Sequence, residues 1–156
     1  MHRRFAPAAA TAAVAVTLVP PLASSKSAVV IRLVSITTSN RVQDKAPQGA
    51  SPGDKVFTTS RLQNAVAQLG RPKGAVVGSD RATLTIRGSD SVLVDGSATL
   101  RGGTIRFHGL ITSANTTRIP VVGGTGRFAG ARGTVTTVAL SRNGLRASNV
   151  YRLTLP

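Results

Sequence analysis

The chain has 156 residues, with 20 Lys and Arg against 5 acidic residues, and a formal net charge of +15 at pH 7. It contains no cysteine, which excludes a disulfide framework and a lipid-modified cysteine. The length suits one domain after removal of a leader. From Arg32 to Arg152 the basic residues are spread mostly singly. This dispersal disfavours a nucleic-acid-binding tail and favours a solvated, arginine-rich exterior over a dedicated polyanion site.

The first 25 residues predict a secretory signal peptide. A basic start, Met1 to Arg4, precedes an apolar stretch over residues 8–19, and small residues follow at 23–25. The apolar stretch is shorter than the roughly 20 residues that a transmembrane helix needs. We therefore expect a secreted, extracellular protein whose mature domain, residues 26–156, has no membrane span.

The mature domain is predicted to consist of short strands separated by turns. A first strand over residues 28–37 leads into a long polar connection over residues 38–53. Further strands are predicted at 55–62, from 75, at 82–87, 91–100, 104–113, 116–122, 134–140 and 148–155. Only residues 61–69 could form a helical turn or two. Strands at this spacing predict a sandwich or a barrel.

A glycine-rich run over residues 121–133 has two interpretations. The spacing of Gly124, Gly126 and Ala129 roughly fits a loop that binds a dinucleotide at a helix N-terminus. However, the next residues, 134–140, are rich in β-branched side chains, which favour a strand. We therefore interpret Gly123, Gly124 and Gly126 as structural turn residues, because glycine adopts unusual backbone angles and permits close strand approach.

Alternation along the strands predicts one apolar face, as in residues 104–113 and 148–155. A barrel of about eight strands is filled by its side chains or holds one small ligand. The aromatic residues of the mature chain are Phe57, Phe107, Phe128 and Tyr151. They serve packing, or they line a lumen that would bind a flat apolar ligand.

Two ionisable residues stand out in the predicted strands. Asp95 lies in mid-strand, where burial would raise its pKa and make it a general acid, whereas an exposed Asp95 would have no such role. His108 shares its face with Arg106 and is expected to be exposed. It is the only histidine after residue 25, so neither a catalytic triad nor a metal site is predicted.

Several motifs together resemble the allene oxide cyclase/dirigent barrel superfamily, in a bacterial-type secreted form. They are Gly53-Asp54, residues 70–74, residues 100–105, residues 123–128 and Ala131-Arg132-Gly133. The resemblance covers about residues 28–156. It implies a single eight-stranded antiparallel β-barrel with a central cavity, a homodimer or homotrimer, and no metal or organic cofactor.

The resemblance also bears on the site. Plant members of the superfamily cyclise an unsaturated fatty-acid epoxide or steer the coupling of phenoxy radicals. The acids that those groups use are missing, because residues 30–37 hold none and the chain contains no Glu. Arg132 does carry over, in the position of a family arginine near the cavity. It would neutralise a carboxylate or polarise a carbonyl there, or else close a salt bridge at the barrel end.

We therefore expect a secreted barrel that binds a small apolar or aromatic compound and guides its cyclisation, isomerisation or stereoselective coupling. If the protein is an enzyme, it is a cofactor-free isomerase or cyclase, or a dirigent-type coupling guide, with Arg132 and Asp95 as candidate catalytic residues. The alternative is a non-catalytic secreted basic protein that associates with anionic cell-envelope polymers. No specific nucleic-acid partner is expected.

Overall fold

A computed structural model describes residues 26–112 and 116–156. The predicted signal peptide, residues 1–25, and the last residue of the strand predicted at 104–113 lie outside the described residues. Within the described ranges, no helix has the length and apolar character needed to cross a bilayer.

Eight antiparallel strands form a closed barrel in simple chain order, and β1 pairs with β8 to complete the ring. The strands are β1 (Ser27–Gln43), β2 (Lys55–Asn64), β3 (Val76–Ile86), β4 (Ser91–Leu100), β5 (Gly103–Thr112), β6 (Thr116–Gly124), β7 (Arg132–Ala139) and β8 (Arg146–Leu155). The predicted eight-stranded barrel is confirmed, and the sandwich is excluded.

Three local predictions differ from the structure. β1 continues to Gln43 rather than ending at residue 37, because its polar end pairs with β2 as far as Lys55. Residues 61–64 belong to β2 and form no helical turn. Asn64 ends that strand by donating side-chain hydrogen bonds to the carbonyl oxygens of Gln68 and Arg71. β3 is also one continuous strand across the break predicted before residue 82.

One end of the barrel, which we call the closed end, carries the β2–β3, β4–β5 and β6–β7 connections. Its core is mostly apolar. The fully buried residues there are Leu33, Leu62, Ala98, Ile105, Phe128 and Ala131. The opposite end, which we call the open end, carries the β1–β2, β3–β4 and β7–β8 connections.

The glycine-rich run forms the β6–β7 corner of the closed end. Gly123 and Gly124 end β6, and a short 3-10 turn, Gly126–Phe128, follows. Gly126 has a φ of +57°, and a Cβ there would collide with the carbonyl oxygen of Gly102. A strand, β7, follows the corner in place of the α-helix that a dinucleotide site requires.

The barrel wall is incompletely paired between β5 and β6. Their register covers three positions, from Ile105 opposite Gly124 to Phe107 opposite Val121, whereas β6 and β7 pair at six. Residues 108–112 of β5 and residues 116–120 of β6 therefore have no paired positions with each other. We call this part of the wall the β5–β6 seam. Pro120 has no N–H to donate there, and its ring packs so close to Gly109 that a side chain at Gly109 would collide with it.

Candidate functional site

The barrel encloses a cavity of about 240 Å³ towards the open end, which we call the lumen. One part of its wall is apolar and includes Leu84, Val94, Phe107, Ile119 and Val135. The other part is polar and includes Ser35, Ser60, Asp80, Asn149 and Tyr151, with several threonines. The volume lies just below the usual range for ligand pockets, about 300–1,000 Å³, so the lumen suits a compact molecule.

Asp80 is the buried acid of the lumen. It lies on β3 opposite Ser60 of β2, and the residue is only 9% exposed. Sequence analysis missed it, because the polar residues 78–81 resemble a turn between two short strands. The signal was the period of two that places Asp80 on the same face as Ala82 and Leu84.

The surroundings of Asp80 favour its neutral form. Burial raises the pKa of this carboxyl, and side-chain and backbone hydrogen bonds from Ser60 offset the rise only in part. The carboxyl of Asp80 can donate a proton inside the lumen when it is protonated, and it accepts hydrogen bonds there when it is ionised.

Tyr151 faces the same space from β8 and is 1% exposed. Burial raises the pKa of its phenol, and the nearby negative charge of Asp80 raises it further. The phenol therefore stays protonated at physiological pH. Tyr151 and Asp80 both line the lumen, so its wall presents a phenol and a carboxyl to the same space.

Asn149 adds an amide to the same wall, two residues before Tyr151 on the same face of β8. The residue is 6% exposed, and its Oδ1 is buried without a hydrogen-bond partner among the described residues. A buried acceptor that lacks a donor costs about 1–3 kcal/mol. The lumen thus holds an acceptor that a ligand N–H or O–H would satisfy.

The predicted aromatic ligand contacts separate into three locations. Phe107 and Tyr151 line the lumen, as their strand alternation indicated. Phe128 is fully buried at the closed end, where it packs against the core and does not line the lumen. Phe57 lies on the outer face of β2, with the guanidinium of Arg41 4.8 Å from its ring centroid.

Asp95 and His108 lie outside the barrel. Their side chains are 66% and 47% exposed, and the Asp95 Oδ2 to His108 Nδ1 distance is 3.0 Å. Val94 occupies the inner face of β4, so its neighbour Asp95 must point outwards and is not the cavity acid considered from sequence. This pair supplies two possible metal ligands, and no group of three occurs in the ranges that the structure describes.

Arg132 also lies outside the lumen, at the exposed start of β7. Its guanidinium donates hydrogen bonds to the carbonyl oxygens of Val122, at 2.8 Å, and Ala131, at 2.9 Å. Arg132 therefore braces the β6–β7 corner from outside. These contacts match neither the lumen-facing role nor the salt bridge that the sequence suggested for Arg132.

Solved structures with the same fold include enzymes of several kinds. Pyocyanin demethylase has a TM-score of 0.65 at 18% identity, over 80% of this chain and 99% of its own. An exo-specific intermolecular Diels–Alderase has a TM-score of 0.67 at 15% identity, over 84% and 99%. A pterocarpan synthase dirigent protein has a TM-score of 0.64 at 15% identity, over 85% and 86%. At these identities the similarity shows the fold.

Sequence comparison identifies the family. Among curated proteins, none matches the chain. The family model described as dirigent-like protein matches residues 52–155, which span seven of the eight strands and most of the lumen wall. The chain therefore belongs to the dirigent-like protein family.

Proposed function

We propose that this protein binds a small apolar or aromatic compound in its lumen and guides its cyclisation, isomerisation or stereoselective coupling. One observation carries the proposal. Asp80, whose pKa is raised by burial, the phenol of Tyr151 and the unsatisfied amide oxygen of Asn149 face an apolar wall inside the barrel. A few convergent polar groups in an otherwise apolar cavity are typical of small-molecule sites.

The proposed chemistry uses shape and one proton. The apolar wall, with Leu84 and Phe107, holds the compound in a reactive conformer, which lowers the entropic part of the barrier. In its protonated form, Asp80 donates its proton to a basic oxygen or unsaturated carbon of the compound and takes one back from a neighbouring atom. The reaction is then an isomerisation without net oxidation or reduction, and Asp80 returns to its starting form.

Export and self-association belong to the same proposal. Residues 1–25 have the composition of a signal peptide, which supports secretion of the mature domain. Recovery of a chain that begins near residue 26 from the culture medium would test this point. Sedimentation of that chain would distinguish a monomer from the expected homodimer or homotrimer.

Tyr151 offers a direct test of ligand binding, because it is the only tyrosine and the chain has no tryptophan. We expect small aromatic compounds to change its fluorescence saturably. Ala82→Phe places a ring in the lumen and should abolish the change, whereas Thr83→Phe, on the outer face, is the matched control and should preserve it. Equal binding by both variants would refute a lumen site.

The outer surface supports the alternative function. Every arginine in residues 26–112 and 116–156 is exposed, so the barrel has a cationic exterior that would attract anionic envelope polymers. If retention on a polyanion weakens steeply with salt, and the lumen variant Ala82→Phe leaves both retention and biological effect unchanged, this non-catalytic role is favoured.

A further inference from the structure

We infer that the lumen selects a small primary amine, bound as its ammonium ion, with a compact apolar body. The inference rests on the proposed function, because it concerns the ligand class of the same cavity. It follows from the kinds of hydrogen-bonding groups that the lumen presents and from where the charges of the barrel lie.

The polar wall is rich in acceptors that a cationic nitrogen would satisfy. Asn149 Oδ1 is buried without a donor. The hydroxyl of Ser35 donates to the carbonyl oxygen of Ala147 at 3.5 Å, which leaves the Ser35 oxygen free to accept. When it is ionised, Asp80 adds a third acceptor to the lumen wall, and an ammonium group has three N–H donors.

Charge points to the same ligand class. Among residues 26–112 and 116–156, Asp80 and Tyr151 are the only titratable residues that line the lumen, and no basic side chain of these ranges lines it. A ligand carboxylate would therefore enter without a counter-ion and beside an acid, which is unfavourable in a desolvated site. A ligand ammonium would instead pair with Asp80 through a charge-assisted hydrogen bond.

The cationic exterior does not prevent this binding. The arginines are exposed to solvent, where salt screens charges beyond about 8 Å at physiological ionic strength. In the lumen wall, the carboxyl of Asp80 supplies a negative charge when it is ionised. The apolar wall, including Val94 and Ile119, would cover the body of the amine.

Four probes of nearly equal shape test the inference by calorimetry: benzylamine, benzyl alcohol, toluene and benzoate. We expect benzylamine to bind about tenfold more tightly than benzyl alcohol or toluene, and benzoate to bind most weakly. Affinity for benzylamine should fall as the pH decreases, because protonated Asp80 cannot pair with an ammonium ion. Affinity for toluene should not change with pH.

Three variants of the full chain separate the contributions. Asp80→Asn should remove the preference for benzylamine and its pH dependence, whereas Asp95→Asn, which alters an exposed acid outside the lumen, should keep both. Asn149→Leu should weaken benzylamine binding and leave toluene binding intact, a difference that a merely structural role of Asn149 would not produce.

The outcomes distinguish the two proposals. If benzyl alcohol or toluene binds as tightly as benzylamine, or if Asp80→Asn keeps the preference for benzylamine, the amine inference is overturned while the lumen site stands. If none of the four probes binds, both the inference and the proposed function fail. Circular dichroism of each variant shows whether it remains folded.

Discussion

Two aspartates of the protein are buried to a similar degree, but their pKa values are shifted in opposite directions. Asp54, in the β1–β2 connection, is 3% exposed, and Asp80, in the lumen wall, is 9% exposed. Backbone N–H groups of Lys45, at 2.8 Å, and Ser51, at 2.7 Å, lower the pKa of Asp54. Burial raises the pKa of Asp80.

The difference shows that low exposure alone does not identify a functional acid. Asp54 also accepts a hydrogen bond from the hydroxyl of Ser51 at 3.2 Å, so donors of the protein already surround its carboxylate. It fixes the β1–β2 connection and has little capacity left for a ligand. Within the described part of the chain, Asp80 receives hydrogen bonds from Ser60 alone, so its carboxyl retains capacity for a ligand.

The largest effect on stability is expected for Asp54→Asn. An amide would present an N–H group to the backbone N–H groups of Lys45 and Ser51, and the β1–β2 connection would lose its anchor. Since the folded pKa of Asp54 is lowered, its stabilisation is present above the unfolded value of 3.8 and is lost as the pH falls through the folded value. The melting temperature of the variant should therefore be well below that of the wild type at pH 7 and converge with it in strong acid. A gap that widened in acid would contradict this account.

Asp80→Asn is expected to change the melting temperature in the opposite direction. The folded pKa of Asp80 is raised, so the wild type loses stability as the pH rises from the unfolded value of 3.8 through the folded value. The variant lacks this loss and should melt a few degrees above the wild type at pH 7, and equally near pH 3. Thermal melts across this pH range provide the measurement. A lower melting temperature at pH 7 would show that the ionised carboxylate stabilises the lumen.

Ser60→Ala should have a smaller effect. It removes one hydrogen bond to the carboxyl of Asp80, which costs about 0.5–1.5 kcal/mol, and it should raise the pKa of Asp80 further. NMR titration of the Asp80 carboxyl carbon measures that shift. An unchanged midpoint would mean that Ser60 does not control the protonation of Asp80.

Asp95→Asn should have the smallest effect. Its pair with His108 is exposed on the outside of the barrel, and such pairs contribute about 0–1 kcal/mol. Chemical denaturation at neutral pH should detect little change, and ligand binding should be unaffected. A loss of binding would move the functional site to the outer face of β4 and β5.

Much of the fold could be predicted from strand periodicity and turn residues. The strand at 91–100 has the predicted bounds, because its apolar alternation and the flanking Ser-Asp and Arg-Gly turns agree. The end of β1 could not be predicted, since residues 39–43 are exposed and, apart from Val42, polar, and only their pairing with β2 makes them a strand. Local sequence does not contain that information.

The candidate site was less predictable. Alternation indicated the inner positions of Phe107 and Tyr151, and the same rule applied from Val94 would have placed Asp95 outside. Asp80 escaped notice because an acid among Gly, Ser and Arg is typical of a turn. The clustering of Asp80, Asn149 and Ser35 depends on closure of the ring, which brings together residues distant in sequence.

The β5–β6 seam gives the barrel wall a property that the other strand junctions lack. A barrel whose strands are all fully paired has a fixed diameter, because widening it would break backbone hydrogen bonds along the strands. This barrel has one weakly paired junction, because β5 and β6 keep three paired positions and then run side by side past Gly109 and Pro120. If the wall were to widen near the open end, separation along the β5–β6 seam would therefore break the fewest backbone pairs.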